Sequence, residues 1–165
     1  MGGSRRVEDE APREEERPRG LLVASSGGHL LQLVHLSSGL PDLAWQWVAF
    51  DTPDARQLLT GRQVLHAHHP TNRNLRNLVR NTILAWRVVR RTRPKVAIST
   101  GAGVAVPFLW MARLYGARVI YVESFARTTG LSLTGRLVRP VVHRLFVQWP
   151  DAASDRKSEF VGSIF

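Results

Sequence analysis

The sequence predicts an α/β fold, a single Rossmann-like domain with a parallel sheet flanked by helices, and three observations carry that prediction. Short apolar runs alternate with amphipathic stretches across residues 20–150, the rhythm of strands joined by crossover helices. A length of 165 residues with 44% apolar content gives one domain of ordinary size with a packed core. Two apolar runs end in small-residue turns, Ser25-Ser26-Gly27-Gly28-His29 and Ser99-Thr100-Gly101-Ala102-Gly103, and a helical pattern follows each. In open α/β sheets such turns lie at the carboxyl ends of strands, where ligands bind.

The elements follow in order. Residues 20–24 read as a buried strand and 29–40 as a helix stopped near Gly39 and Pro41. Residues 45–50 form a second strand, and 52–59 a short helix with Asp51 or Thr52 as cap and Pro53 at its first position. Residues 64–66 give a short third strand; 96–100, bounded by Pro94 and Gly101, give a fourth. A helix over 104–115 has Pro107 near its start, and 118–123 is a fifth strand. Residues 132–139 are helical with Ser132 as cap, and 144–148 are a last strand before Trp149-Pro150. Residues 1–19 hold five Arg and six Asp/Glu with almost nothing apolar, and read as a disordered polar leader. Residues 151–165 start polar and end apolar from 160 to 165, a tail expected to continue the domain or to dock on a partner.

Charge is unevenly spread. Of 23 Lys/Arg and 13 Asp/Glu, residues 20–165 keep 18 and seven, a net +11, and Glu123 is the only acid between 55 and 150. Such a field attracts phosphates, anionic lipid head groups or nucleic acid. No stretch reads as a signal peptide or membrane span, and the absence of cysteine excludes disulfides and thiolate metal sites. Across residues 73–93, Leu75, Leu78, Val79, Ile83, Trp86 and Val89 recur at helical spacing among arginines. Two arrangements fit. The stripe packs on the sheet with the arginines solvated, or the helix lies at a membrane interface with Arg76, Arg80, Trp86, Arg87 and Arg90 in contact. Both hold together if the stripe is core and the arginines face lipid.

The turn at Ser26, Gly27 and Gly28 predicts an anion site. First-turn N–H groups lack intrahelical partners, the helix dipole adds positive potential, and glycines admit a phosphate closely. His29 sets an imidazole beside it, able to take or give a proton near neutral pH. The plainer alternative is a tight turn with Ser25 or Ser26 capping the helix. Thr100, Gly101, Ala102 and Gly103 form the second turn, which faces the same crevice or is an ordinary loop needing glycine. Glu123 ends the fifth strand, either paired with an Arg to orient a loop, or bonding sugar hydroxyls or orienting His29. Ser124, Arg127 and Thr128 then offer a third phosphate contact. His66, His68 and His69 have no neighbouring carboxylate or Cys to complete a metal set, and His35 and His143 suggest no chemistry.

Taken in order, Ser-Ser-Gly-Gly-His-Leu at 25–30, Ser-Thr-Gly-Ala-Gly-Val-Ala-Val-Pro at 99–107, Tyr-Val-Glu-Ser-Phe-Ala-Arg at 121–127 and Phe-Val-Gln-Trp-Pro at 146–150 resemble the Alg-fourteen-like family. That family includes the membrane-recruiting subunit of a lipid-linked N-acetylglucosamine transferase and PssD-type subunits of bacterial polysaccharide synthesis. The N-terminal half of MurG-type transferases is more distantly similar. The resemblance implies the acceptor-binding half of a split, inverting GT-B glycosyltransferase, a hexosyltransferase active with its partner. It implies a partner subunit holding the UDP-sugar, a polyprenyl diphosphate-linked sugar as acceptor, and no cofactor or metal of its own. It further implies peripheral attachment at the cytoplasmic face of a membrane, His29 or Glu123 as general base, and partner docking by residues 160–165. Polysaccharide or lipid-linked oligosaccharide synthesis would be the role. A non-catalytic membrane-recruiting scaffold is one alternative. A nucleotide-binding Rossmann module of another class is a second, weakened by the missing Gly-x-Gly-x-x-Gly and P-loop Lys. Nucleic-acid binding rests on charge alone and is not expected.

Overall fold

Six short, largely apolar segments and one polar one pair in parallel to make the sheet, and the computed structural model describes residues 20–41, 43–71, 73–153 and 156–165. In chain order the elements are β1 (Gly20–Val23), α1 (Gly28–Ser37), β2 (Trp45–Phe50), α2 (Pro53–Leu58) and β3 (Val64–Ala67). Then come α3 (Leu75–Thr92), β4 (Val96–Ser99), α4 (Ala105–Leu114), β5 (Arg118–Val122), α5 (Leu133–Val138), β6 (Arg144–Val147) and β7 (Ser158–Phe160). The strand order is β3-β2-β1-β4-β5-β6-β7. Val23 registers with Val48 on one side and Ser99 on the other, so β1 and β4 are neighbours. The order reverses there, and the turns after β1 and β4 open on one crevice.

Helices cover both faces, as the alternation predicts. Leu30, Leu33, Ala55 and Leu59 of α1 and α2 bury against Leu22, Trp47, Ala49 and Ile98. On the other face Ala85, Val88, Val89, Phe108, Leu109 and Val138 of α3, α4 and α5 bury against Leu21, Val23, Val119, Tyr121 and Leu145. Alternate strand residues feed the two layers, the period of a strand buried on both sides.

One expectation changes. The stripe over residues 73–93 does form a helix, but it does not pack on the sheet. Leu75, Leu78, Val79, Ile83 and Trp86 are exposed, and only Val89 of that set is buried. The buried face is Asn77, Asn81, Ala85, Val88, Val89 and Thr92. That face packs Ala85, Val88 and Val89 into the core and also carries polar bonds: Asn81 bonds the His68 N–H and carbonyl at 2.8 and 2.9 Å, and Asn77 bonds the Pro70 carbonyl at 2.9 Å. With that face inward, the apolar stripe points out. Residues 151–165 continue the domain, one of the two expectations for them, through β7, a strand their polar composition did not predict. It pairs with β6 from Leu145↔Ser158 to Val147↔Phe160, so this stretch continues the sheet. The leader read over residues 1–19 lies outside the described residues. Among those described, no helix is long and apolar enough to cross a membrane.

Candidate functional site

The first turn leaves β1 through Ser25 and Ser26 and reaches Gly27 at φ 62°, ψ −137°, a conformation open to glycine. Neither serine caps α1. Ser25 Oγ donates to the Ser26 carbonyl at 3.2 Å, and Gly27 holds the cap position without any side-chain bond. Among the described residues no side chain caps the N–H groups of Gly28, His29 and Leu30, as an anion site requires. The Gly27 N–H departs from that expectation. It donates to Asp54 Oδ2 at 2.7 Å, so a carboxylate from the start of α2 stands where a phosphate oxygen was expected.

His29, half-buried in the first turn of α1, is fixed from the neighbouring strand end. Its Nδ1 lies 2.9 Å from the Thr100 carbonyl. A carbonyl only accepts, so Nδ1 carries a proton, and in the neutral ring Nε2 is then the acceptor. Thr100 Oγ1 returns a bond to the His29 carbonyl at 2.6 Å. Thr100 is fully buried, with its hydroxyl and its carbonyl both bonded to His29. Gly101 sits at φ 121°, and a Cβ there would lie 2.9 Å from both Cε1 and Nδ1 of His29. The imidazole occupies the space that only glycine leaves. Ala102 is also at positive φ, 70°, and Gly103 faces Thr71, whose Oγ1 lies 3.2 Å from a Cβ built there.

Glu123 is 1% exposed, and among the described residues no arginine pairs with it. Its Oε1 accepts from the Ser124 N–H at 3.0 Å and the Tyr121 hydroxyl at 3.3 Å. Its Oε2 accepts from the N–H and hydroxyl of Ser132, both at 2.9 Å. The carboxylate thus ties the end of β5 to the start of α5 and closes the loop between them. Burial, then the neighbouring Glu123 charge, push the Tyr121 hydroxyl above its ordinary pKa, so it stays a donor. Among the described residues Glu123 makes no bond to His29; Gly101 and Tyr121 stand between. Gly135 is required at the far side, because a side chain there would collide with Glu123 Oε2.

The loop so closed carries Ser124, half-buried, and Arg127 and Thr128, both exposed. It follows β5, which registers with β4 through Tyr121 and Ser99, so it flanks the second turn. The structure thus gathers the first turn, the second turn and this loop at one end of the sheet. Sequence reasoning missed Gln32 and Gln148, both buried, whose side chains meet at 2.7 Å beneath the site. A signal existed: Gln32 interrupts the apolar inner face of α1 between Leu30 and Leu33, one turn after His29.

A second surface lies on the α3 side. Leu75, Leu78, Val79, Ile83 and Trp86 face outward, joined by Trp110 and Leu114 on α4 and Leu133 and Leu137 on α5. Arg76, Arg80, Arg87 and Arg90 are exposed with them, and the Arg90 guanidinium lies 5.3 Å from the Trp86 ring centre. So many large apolar side chains exposed on three neighbouring helices are unusual for a surface left in water.

Comparisons with known proteins fit this geometry. Solved structures share the fold: MurG from Acinetobacter baumannii at TM-score 0.69 and 17% identity, covering 87% of this chain and 46% of that one. UDP-GlcNAc 2-epimerase from Methanocaldococcus jannaschii gives TM-score 0.64 at 14% identity, covering 87% and 45%. Among curated proteins, the UDP-N-acetylglucosamine transferase subunit ALG14 of Eremothecium gossypii is 39% identical over 103 residues, 54% of this chain and 46% of that protein. Its Schizosaccharomyces pombe counterpart is 38% identical over 77 residues, 43% and 37%. The matches thus span less than half the length of these curated relatives. Residues 55–164 match the family described as "Oligosaccharide biosynthesis protein Alg14 like". With well over half its length inside that match, the chain belongs to the Alg14-like family of oligosaccharide biosynthesis proteins.

Proposed function

We propose that this chain is the acceptor-binding half of a split, inverting GT-B glycosyltransferase. The observation that carries the reading is His29, held by Thr100 at the strand-order reversal with Nε2 left as acceptor. The acceptor is a polyprenyl diphosphate-linked sugar. Its diphosphate lies at the uncapped start of α1 beside Gly28 and along Gly101 to Gly103, with Arg127 as charge clamp and Ser124 and Thr128 offering hydroxyls. A partner subunit presents the UDP-sugar across the crevice. His29 Nε2 takes the proton of the acceptor hydroxyl as its oxygen bonds the anomeric carbon. The bond from that carbon to UDP breaks, UDP leaves with the electron pair, and the configuration inverts. The chain itself brings no cofactor to this step. Glu123, saturated by bonds within the protein, fastens the loop.

The outward stripe of α3 with its arginines supports docking on an anionic membrane surface, and peripheral attachment at the cytoplasmic face is part of the proposal. Apolar side chains enter the headgroup boundary while guanidinium groups meet phosphates.

The test is co-expression with a candidate donor-binding subunit, scoring transfer of labelled sugar from UDP-sugars to a polyprenyl diphosphate-sugar. Transfer that needs both chains and falls about 100-fold in His29→Ala supports the reading. Transfer that needs both chains yet ignores His29→Ala leaves a scaffold that binds acceptor and recruits the partner.

A further inference from the structure

Two buried glutamines join residues 162–165 to the helix that carries His29. Gln148 Oε1 accepts the Ile164 N–H at 2.9 Å. Gln148 Nε2 donates to Gln32 Oε1 at 2.7 Å and to the Glu123 carbonyl at 2.9 Å. Gln32 Oε1 also accepts the Phe125 N–H at 3.0 Å, and Gln32 Nε2 donates to the Gly28 carbonyl at 3.2 Å. The amide orientations are forced, since turning either one over would set NH2 against an N–H. Bonds therefore run unbroken from Ile164 to Gly28, the residue before His29, with a branch to the loop after β5. Ring contacts follow the same path: Phe165 lies 5.8 Å from Phe125 and 5.2 Å from His35 of α1.

We propose that Gln32 and Gln148 are positioning residues that make the seating of residues 162–165 a condition of the His29 site's geometry. The proposal rests on the reading of His29 as the base. Its physical basis is that a buried network is strong when every member is satisfied and costly when one partner is removed. Withdrawing the Ile164 N–H loosens Gln148, then Gln32, and with it the first turn of α1 and the Phe125 peptide. Val161, Ser163 and Phe165 are exposed, so a partner subunit reaches this segment directly. Gripping it sets the site from a distance, beyond simple attachment.

Hydrogen–deuterium exchange on the full chain tests this without a transfer assay. Ile164→Pro removes the N–H that the segment gives Gln148. Gln148→Glu keeps that acceptor but sets an oxygen against Gln32 Oε1 and the Glu123 carbonyl, cutting the path at its other end. The Phe125 amide is expected to exchange at least about tenfold faster in both variants, while β1 and β4 keep wild-type rates. In the assembled two-chain enzyme both variants lower kcat with acceptor KM held within about twofold. Faster exchange confined to residues 160–165 in Ile164→Pro, or an unchanged Phe125 amide in Gln148→Glu, overturns the proposal. If one variant does not fold, the other decides. A wild-type pair without transfer overturns the glycosyltransferase reading and leaves the exchange result standing.

Discussion

Thr100 and His29 hold each other twice: the Thr100 hydroxyl donates to the His29 carbonyl at 2.6 Å, and His29 Nδ1 donates to the Thr100 carbonyl at 2.9 Å. The first bond fixes the backbone of α1's opening turn, and the second fixes the tautomer. Thr100→Val removes the hydroxyl at nearly constant volume. Transfer by the proposed two-chain enzyme is expected to fall about tenfold in kcat with acceptor KM little changed, and Thr100→Ser to restore it. Steady-state kinetics on the three proteins decides this, and a pure KM effect would place Thr100 on the substrate.

Gly101 tests the same imidazole from the other side. Gly101→Ala forces a side chain into φ 121° and to 2.9 Å from the His29 ring. The strained backbone costs about 1–3 kcal/mol, read as a lowered melting temperature. Displacement of the ring should lower transfer by more than that loss of folded protein explains. A variant with normal melting and normal transfer would mean that the ring has room to move.

Glu123→Gln separates a fastening role from a catalytic one. Glutamine cannot accept all four bonds now made to the carboxylate, and leaves buried donors at Tyr121, Ser124 or Ser132 unpaired. Each such group costs about 1–3 kcal/mol, so thermal melting should show a clear loss of stability. An undiminished melting temperature with transfer abolished would instead make Glu123 the base.

Asp54 raises a question of charge at the first turn. Its carboxylate holds the Gly27 N–H at 2.7 Å. Asp54→Asn keeps an acceptor for that N–H and removes the negative charge. Acceptor KM should drop a few-fold at low salt, and the gain should shrink as ionic strength rises. An acceptor KM that does not respond would put the diphosphate away from Gly27.

The α3 surface makes a prediction in lipid. Replacing Arg76, Arg80, Arg87 and Arg90 together by Gln should weaken binding to vesicles rich in phosphatidylserine by roughly 1 kcal/mol per arginine. Trp86→Ala should weaken it in neutral vesicles as well. Cosedimentation reads both, and binding unchanged by either variant would remove the membrane from this face.

Much of this protein was written locally in its sequence. Strands β1 to β6, helices α1 to α5 and both glycine turns followed from apolar period, small residues and Pro positions, because each depends on neighbours a few residues away. The candidacy of His29 was legible for the same reason: it follows a glycine turn at a helix start. Tertiary structure decided the rest. The buried face of α3 joins Ala85, Val88 and Val89 to Asn77 and Asn81, whose partners at Pro70 and His68 only the folded chain supplies. Strand β7 exists because β6 offers an open edge to a segment too polar to announce itself. Glu123 lost its expected arginine to the hydroxyls and N–H groups that folding brought within reach. Gln32 and Gln148, 116 residues apart, have no local pattern that pairs them. Period and turn chemistry act through adjacent residues, whereas the satisfaction of a buried polar group depends on which distant partners the completed sheet sets beside it.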